Sequence, residues 1–415
     1  MGSGAWVVER AATYREVFAV REFRALFFAQ LASVTGDQFA RVALVVVVYQ
    51  RTASASLTAL TYALTFLPAA VGPLLAGLAD RHPRRSVMVA ADLVRALLVL
   101  VMAVPGMPLA ALWVLLVAVQ LGAAPFNAAR SATLPAVLDG DRYVVAVSVS
   151  SMTYQVALLA GFVGGGGLVL WIGASGALLV DAVTFVVSAW LIRSGVQPRP
   201  RPQRPDRAPG WLRGVAAGGG LIVRDRRLRM LMVLLCVPAF AVTAEGLAVP
   251  YAADLGLGAT AVGLLMAADP AGSVVGGWLI NRMAPRRRRR WIGPLAVLSC
   301  AVLVVVAVRP NLAVTLVVLA ASGVASAYLY PVNAEFVRAA PDSQRGQVFG
   351  FGQAAMRVAQ GAAVLVAGVA AELTRPAVVI AASGAAGAVV AWWAAHGWAR
   401  AGTSAGVEEP ADGTR

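Results

Sequence analysis

The feature that most restricts the fold of this chain is a series of long apolar stretches separated by short polar breaks. A membrane-spanning helix needs roughly 20 mainly apolar residues, or fewer where polar side chains face the interior of a bundle. The sequence therefore predicts an all-α integral membrane protein with twelve transmembrane helices. Their expected ranges are 25–48, 56–78, 86–104, 109–129, 144–170, 174–192, 229–250, 260–280, 291–308, 312–332, 347–370 and 376–398.

The composition excludes a soluble globular protein. Hydrophobic residues make up 59% of the 415 residues and charged residues 13%, which is about half the charged share of soluble domains. A soluble fold could not cover so much apolar surface, so we expect a multi-pass protein of the cell membrane. The two cysteines, Cys236 and Cys300, lie in apolar runs and predict neither a disulfide nor a metal site.

The placement of arginine predicts the orientation. The net charge is +15, and all 35 basic residues are arginine. With the N-terminus inside, the twelve spans leave 29 arginines in inner loops and tails and three in outer loops, namely Arg51, Arg309 and Arg375. Basic residues favour cytoplasmic loops, so both termini are expected in the cytoplasm. Because this rule accounts for the positive charge and no soluble basic domain is present, we expect no nucleic-acid partner.

The longest segment between spans divides the chain. Residues 193–228 begin with alternating proline and arginine, typical of a stiff extended linker, and 211–229 predict a basic amphipathic helix at the membrane surface. The expected organisation is a cytoplasmic segment 1–24, a first six-helix half 25–192, the linker 193–228, a second half 229–398 and a cytoplasmic tail 399–415.

The two halves repeat each other in parallel. Pro125–Asn127 with Pro135 recur 206 residues later as Pro331–Asn333 with Pro341, each time at the inner end of a span. Such a duplication predicts two pseudo-symmetric six-helix halves with a central site between them, as in transporters. We interpret the repeated stretches as loop motifs, with candidate residues Asn127, Arg130, Asn333 and Arg345.

A charged helix junction stands at 76–85, between spans two and three, and a weaker copy follows at 277–286, with Asn281 in place of the acid. An acid at a helix end is attracted by the positive N-terminus of a neighbouring helix. We expect this junction to be a conformational latch that holds the halves together in one state, formed by Asp80, Arg81, Arg84 and Arg85.

This junction resembles the G-x-L-a-D-R-x-G-R-R loop motif of the major facilitator superfamily, with matches at Leu78, Ala79, Asp80, Arg81, Arg84 and Arg85 and with Ala76 and Pro83 at its two glycine positions. Span five resembles the family's antiporter motif G-P-x-x-G-G, with Phe162 at the proline position and glycines at Gly161, Gly164, Gly165 and Gly166. Residues 125–135 are similar to the branch of macrolide efflux proteins and the enterobactin exporter. The resemblance implies a major facilitator fold, a cavity lined by span one, and export driven by inward proton flow.

Ionisable residues within spans cost about 2.5–3.5 kcal/mol each on insertion scales, so each needs a reason. Asp37 and Arg41 share a helical face, which predicts either a structural ion pair or a proton site. Glu245 lies deep in span seven without a nearby arginine in sequence, which suits either proton exchange or a neutral acid bonded to another helix. Asp269 precedes Pro270 and predicts a polar kink or a functional site.

Three further ionisable residues are expected to support the latch. Asp92 and Arg95 lie one turn apart in span three and predict a local pair, and Arg357 of span eleven is expected to approach them. Asp181 lies nearer the outer side of span six and predicts a structural role.

The sequence thus predicts a secondary transporter, a proton-coupled antiporter that exports a small hydrophobic or amphipathic compound such as an antibiotic or secreted metabolite. The alternatives are a proton symporter that imports a nutrient and a lipid-handling or sensor protein of the same fold. No Walker motif or nucleophile–base arrangement is present, so we expect no enzyme activity, no cofactor and no metal. The expected partners are the substrate, protons and membrane lipid, and a monomer is expected.

Overall fold

A chain surrounded by lipid must satisfy its backbone hydrogen bonds internally, and helices do this within each segment. The computed structural model describes residues 13–71, 81–200 and 211–404, and all regular secondary structure in these ranges is helical. Side chains cap several helix starts: Ser54 accepts a hydrogen bond from the Leu57 amide at 3.2 Å, and Asn311 accepts one from the Val314 amide at 3.0 Å.

The first half contains six helices, preceded by a short helix Tyr14–Ala19. They are α1 (Arg21–Thr52), α2 (Ala55–Ala63, followed by a 3₁₀ turn Leu67–Ala70), α3 (Arg84–Met102), α4 (Leu109–Val137), α5 (140–172) and α6 (174–195). Helices α5 and α6 lie within the helical segment Gly140–Gly195 and are separated at Gly173, where φ is 71° and ψ is 176°. A positive φ is a conformation that glycine adopts readily, so Gly173 marks the turn between two spans.

A linker helix, Trp211–Arg224, leads to six helices of the second half. They are α7 (Arg226–Cys236, continued by short segments Pro238–Ala241, Thr243–Gly246 and Ala248–Asp254), α8 (Ala259–Asn281), α9 (Pro285–Ala301 with the 3₁₀ turn Val302–Val308), α10 (Leu312–Ala325, Ser326–Tyr328 and Leu329–Ala339), α11 (Arg345–Leu373) and α12 (Pro376–Ser404).

Nine helices of the described ranges are long and apolar enough to cross a membrane, which confirms the predicted all-helical membrane fold. The difference from the twelve predicted spans has local causes. The segment Gly140–Gly195, which contains α5 and α6, counts as one helix among the nine. The predicted second span, 56–78, includes residues outside the described ranges, and α2 alone is too short to count. The third cause is α3, which carries four charged residues in 19: Arg84, Arg85, Asp92 and Arg95.

The repeated stretches 125–135 and 331–341 were interpreted from the sequence as loop motifs. In the structure they are largely helical. Helix α4 continues through Pro125 and Pro135 to Val137, eight residues beyond the predicted end of its span, and the last part of α10 runs to Ala339. Membrane helices tolerate proline because neighbouring helices satisfy the freed backbone groups. Arg130, assigned from the sequence to an inner loop, therefore lies on a helix.

The linker helix packs against the protein and does not lie only on the membrane surface. A Cβ atom at Gly218 would lie 2.8 Å from the Gln347 carbonyl oxygen, and one at Gly219 would lie 3.0 Å from the Phe351 ring, both on α11. Before the gap at 201–210, Arg199 forms an ion pair with Glu22 at 2.7 Å.

The bundle has two chemically distinct ends. We call the end at which α3, α7 and α9 begin the arginine-rich end, since it carries Arg84, Arg85, Arg193, Arg226, Arg227 and Arg286 to Arg290. At the other end, which we call the opposite end, Arg51 donates to the Met107 carbonyl at 2.7 Å, and Arg309 pairs with Asp254 at 2.9 Å.

The two halves meet closely towards the opposite end at a crossing of α5 and α8. A Cβ atom at Gly166 would lie 2.9 Å from the Ala259 carbonyl oxygen, and one at Gly263 would lie 2.6 Å from the Phe162 carbonyl oxygen. The other three glycines pack α5 against α1 within the first half. Gly161 lies against Gln38, Gly164 against Phe39 and Gly165 against Val42. Small residues permit such close approach of membrane helices, so one glycine of the predicted motif joins the halves and three pack within one half.

We predict that Gly166→Ala and Gly263→Ala destabilise the protein by about 1–3 kcal/mol, because rigid backbone atoms occupy the space of the new methyl group. Gly167→Ala is the matched control, since nothing lies within 4 Å of its Cβ position. Thermal unfolding of the purified variants measures this effect. Equal midpoints for Gly263→Ala and Gly167→Ala would contradict the close crossing.

Candidate functional site

Two contiguous cavities lie between the halves. The first, which we call the hydroxyl cavity, has a volume of about 590 Å³ and is walled mainly by α4 and α5 of one half and α8 and α10 of the other. Its polar lining residues are Gln30, Arg130, Ser131, Tyr143, Ser150, Ser151, Tyr154, Gln155, Ser273, Ser326, Tyr330 and Asn333. These positions lie on the parts of the helices nearest the arginine-rich end, so the cavity lies towards that end.

The second, which we call the charged cavity, has a volume of about 540 Å³ and lies nearer the middle of the bundle. It shares the lining residues Gln30, Ser131 and Tyr154 with the hydroxyl cavity, so the two cavities adjoin. Its charged lining residues are Asp37, Arg41, Arg95 and Arg357, from helices α1, α3 and α11.

Arg95 of α3 organises the wall of the charged cavity. One guanidinium nitrogen donates to both carboxylate oxygens of Asp37 at 2.8 Å, and another lies 3.3 Å from the Ser33 hydroxyl. The guanidinium carbon lies 4.0 Å from the centre of the Phe185 ring on α6. Arg95 is 2% exposed, so these contacts replace the water that it would otherwise bind.

Two more carboxyl groups surround this pair. Asp92 of α3 lies 3.5 Å from Arg95 and accepts a hydrogen bond from Ser188 of α6 at 2.5 Å. Asp181 of α6 accepts from the Thr184 hydroxyl at 3.2 Å, and its second oxygen has no hydrogen-bond partner. It lines a small cavity together with Asp37 and Arg41. We call Asp37, Asp92, Asp181 and Arg95 the acid cluster, in which Asp37 and Asp92 pair with Arg95 and Asp181 lies beside Asp37 on the wall of the small cavity.

These contacts bear on three expectations. Asp37 pairs with Arg95 of another helix and not with Arg41 on its own helix, which corrects the first. The predicted local pair of Asp92 and Arg95 is present, and Arg95 lines the charged cavity. Asp181 is fully buried and lines a small cavity with Asp37, and its predicted structural role stays a prediction.

A second polar group joins the two halves. The Tyr62 hydroxyl of α2 donates a hydrogen bond to the Glu245 carboxylate of α7. The guanidinium of Arg41 lies 5.6 Å from the centre of the Tyr62 ring and 5.8 Å from that of Phe66, and Arg357 lies 5.8 Å from Phe66. Glu245 is therefore bound to another helix, and Arg41 and Arg357 rest on aromatic faces beside it.

Asp269 lies apart from both cavities. Its backbone oxygen touches α10 at Gly323, where a Cβ atom would lie 2.0 Å from it, and Ser322 of α10 lies beside its carboxyl group. Helix α8 is continuous through Pro270. Asp269 therefore sits at a packing contact within the second half.

The predicted latch is only partly described, because Asp80 lies outside the described residues. Arg81 is exposed. Arg84 donates to the Ala132 carbonyl at 2.7 Å, and Arg85 donates to the Arg193 carbonyl. Both acceptors belong to the first half, so these two contacts hold α3 against α4 and α6 within that half. Arg357 lines the charged cavity together with Arg95, which it was expected to approach.

The residues of the repeated stretches have separate roles in the structure. Arg130 and Asn333 line the hydroxyl cavity, and Asn127 lines the charged cavity. Asn333 donates to the Leu329 carbonyl at 2.9 Å and accepts from Gln353 at 3.2 Å. Arg345 forms an exposed ion pair with Asp342 at 2.8 Å and lines neither cavity.

A carboxylate joins the halves at the opposite end. Glu372 of α11 accepts hydrogen bonds from the Ser54 hydroxyl at 2.5 Å, the Ser56 amide at 2.9 Å and the Ser56 hydroxyl at 3.0 Å. These donors lie at the start of α2, where the helix dipole also attracts an acid. We call this contact the Glu372 clasp.

The sequence matches the profile of the Major Facilitator Superfamily over residues 26–364 and 246–411, which together cover most of the chain. The chain belongs to the major facilitator superfamily. It is therefore a multi-pass membrane transporter. It is 30% identical over 202 residues to the uncharacterized MFS-type transporter YkuC of Bacillus subtilis. That alignment covers 47% of this chain and 46% of YkuC, so the chain matches about half the length of this relative.

Solved transporters share the fold. A bacterial homologue of the human lysosomal transporter Spinster, inward-facing and occupied, has a TM-score of 0.67 and 14% identity, over 95% of this chain and 98% of its own. A POT family transporter in complex with 5-aminolevulinic acid has a TM-score of 0.73 and 10% identity, over 92% and 96% respectively.

Sequence reasoning missed Tyr62, Ser54 and Glu372. Tyr62 and Ser54 lie near the two ends of α2, and nothing nearby in the sequence indicates their partners. Glu372 carried a usable signal, since it is an acid beside an apolar run, where a charge needs a reason. Asp181 was noted on the same ground, without its neighbour Asp37.

We predict that Arg95→Gln destabilises the transporter by about 3–5 kcal/mol, because Asp37 and Asp92 lose their buried cation. Asp37→Asn should cost far less, since it removes one of the surplus acids. The double variant Asp37→Asn/Arg95→Gln should regain much of the loss, which equilibrium unfolding in detergent measures. Arg199→Gln, at a partly exposed pair, is the control and should change stability by no more than about 1 kcal/mol. Strictly additive effects of the two buried changes would contradict the ion pair.

Proposed function

We propose that this transporter is a proton-coupled antiporter that exports a small amphipathic compound by alternating access between its two halves. The observation that carries the proposal is the acid cluster, in which three carboxyl groups lie close together around one guanidinium group within the bundle. An unpaired charge there is costly, and binding a proton removes that cost.

Asp37 provides a route by which such a proton reaches water. Of the three carboxyl groups it alone lines the charged cavity, and its side chain is 19% exposed, whereas Asp92 and Asp181 are fully buried. A proton on Asp37 weakens its charge-assisted hydrogen bonds with Arg95, which join α1 to α3. Proton binding thereby alters the packing of helices that form the cavity wall, which is the coupling that a secondary transporter requires.

Export is supported by the direction in which the cavity lies. The hydroxyl and charged cavities lie towards the arginine-rich end, which the arginine distribution assigns to the cytoplasm of the cell membrane. The Gly166–Gly263 crossing and the Glu372 clasp close the opposite end. This arrangement suits uptake of a compound from the cytoplasm, and the glycine motif of α5 resembles that of antiporters.

The lining favours an amphipathic compound over a purely hydrophobic one. Most of the residues that line the hydroxyl cavity carry a hydroxyl or amide group, and Tyr143, Tyr154 and Tyr330 add aromatic faces. A site of this kind gives orientation through a few hydrogen bonds and affinity through apolar contact. We propose transport by a monomer within membrane lipid, driven by the proton gradient without a bound cofactor.

A second candidate is a proton symporter, which the Tyr62–Glu245 contact favours. Tyr62 binds the Glu245 carboxylate, and Arg41 and Arg357 lie against the rings of Tyr62 and Phe66 beside it. Its protonation would leave both guanidinium groups free to bind an anionic solute, so proton and solute would bind together. In an antiporter the two must instead exclude each other.

The test is a panel of antibiotics and other amphipathic compounds in an efflux-deficient bacterium that expresses the transporter. We expect wild type to raise resistance to at least one compound several-fold, Asp37→Asn to abolish this, and the exposed control Asp141→Asn to retain it. Glu245→Gln is the further variant, since unchanged resistance would remove Glu245 from the mechanism.

Everted membrane vesicles acidified inside distinguish the two candidates. An exported substrate of an antiporter, added outside, should make the lumen more alkaline as protons leave in exchange. If wild-type vesicles show no such change for a compound that they accumulate, proton antiport is wrong.

A further inference from the structure

Arg130 of α4 is a buried guanidinium group with an unusual environment. It is 9% exposed, and one terminal nitrogen donates to the Ser150 hydroxyl of α5 at 3.1 Å. Its Nε is buried without a hydrogen-bond acceptor, as is the Nε of Arg95. The side chain lines the hydroxyl cavity, so this charged group lies beside an accessible space.

No acid compensates this charge. None of the ion pairs among the described residues includes Arg130, and the lining of the hydroxyl cavity contains no aspartate or glutamate. Arg95 provides the contrast, since it is 2% exposed and contacts two carboxylates. The acid of the adjoining charged cavity, Asp37, is already held by Arg95. A buried cation without a counter-ion is costly, and a bound anion would relieve that cost.

We propose that Arg130 binds an acidic group of the transported compound, so that the substrate is an amphipathic anion with a carboxylate or phosphate on an apolar body. A guanidinium group matches both of these acids through two parallel hydrogen bonds. The rings of Tyr143, Tyr154 and Tyr330 lie on the wall of the same cavity and would contact the body. The inference rests on the proposed transport function and adds the charge of its substrate.

A purely structural role for Arg130 makes a different prediction. Its contact with Ser150 joins α4 to α5 within the first half, so loss of the side chain would weaken the fold without selecting among ligands. A binding role requires that the preference for an anion over a matched neutral compound depends on Arg130.

The experiment compares two probes with one aromatic body, 2-naphthoate and the neutral 2-naphthamide, for binding to the purified full-length protein by equilibrium dialysis. A charge-assisted pair should give 2-naphthoate about a tenfold lower Kd than the amide. Arg130→Gln should abolish this preference, and Arg130→Lys, which keeps the charge, should retain part of it. Arg338→Gln, which removes an exposed arginine at the same end, should leave it unchanged.

The inference is overturned if wild type binds neither probe, if it shows no preference for the anion, or if Arg130→Gln keeps that preference while eluting as a monodisperse folded protein. If Arg130→Gln does not fold, the test becomes the Arg130→Lys variant, in which an undiminished preference or none at all would contradict bidentate binding. Because binding is measured without a proton gradient, its outcome is separate from that of the proton-coupled transport assays.

Discussion

The structure depends on the cost of holding charge inside a membrane. Arg95 is buried in the first half and pairs with Asp37 and Asp92, and Asp181 lies beside Asp37. We propose that a proton from the adjoining cavity reduces the charge of this cluster. The same four residues join α1, α3 and α6, so in this proposal a change of charge becomes a change of helix packing.

The two ends of the bundle carry different kinds of contact between the halves. Towards the opposite end the halves touch backbone to backbone at Gly166 and Gly263, and Glu372 receives three hydrogen bonds from the start of α2. Towards the arginine-rich end they are separated by the two joined cavities. Short-range contacts of this kind are either formed or broken, which suits a transporter that alternates between two arrangements.

Much of the fold could be predicted from the sequence, because apolar length, arginine placement and the 206-residue repeat are properties of the chain itself. The charged residues of the site were also identifiable, since acids within apolar runs are rare. The partners of these charged residues could not be identified from the sequence. Asp37 pairs with an arginine 58 positions away on another helix, and Glu245 with a tyrosine 183 positions away. Only Arg41 lay near Asp37 in sequence, and the folded chain turns it towards Tyr62. Proline was likewise misleading, since α4 stays helical through Pro125 and Pro135.

The central claim is that protonation of the acid cluster moves the two ends of the bundle in opposite senses. Distances between spin labels test it most directly, with one pair at Val104→Cys and Val308→Cys near the opposite end and another at Asp141→Cys and Arg338→Cys near the arginine-rich end, after replacement of Cys236 and Cys300. Between alkaline and acidic buffer we expect one distance to lengthen and the other to shorten, and Asp37→Asn to abolish this response. Distances that stay constant, change in the same sense at both ends, or respond unchanged in Asp37→Asn would contradict the account.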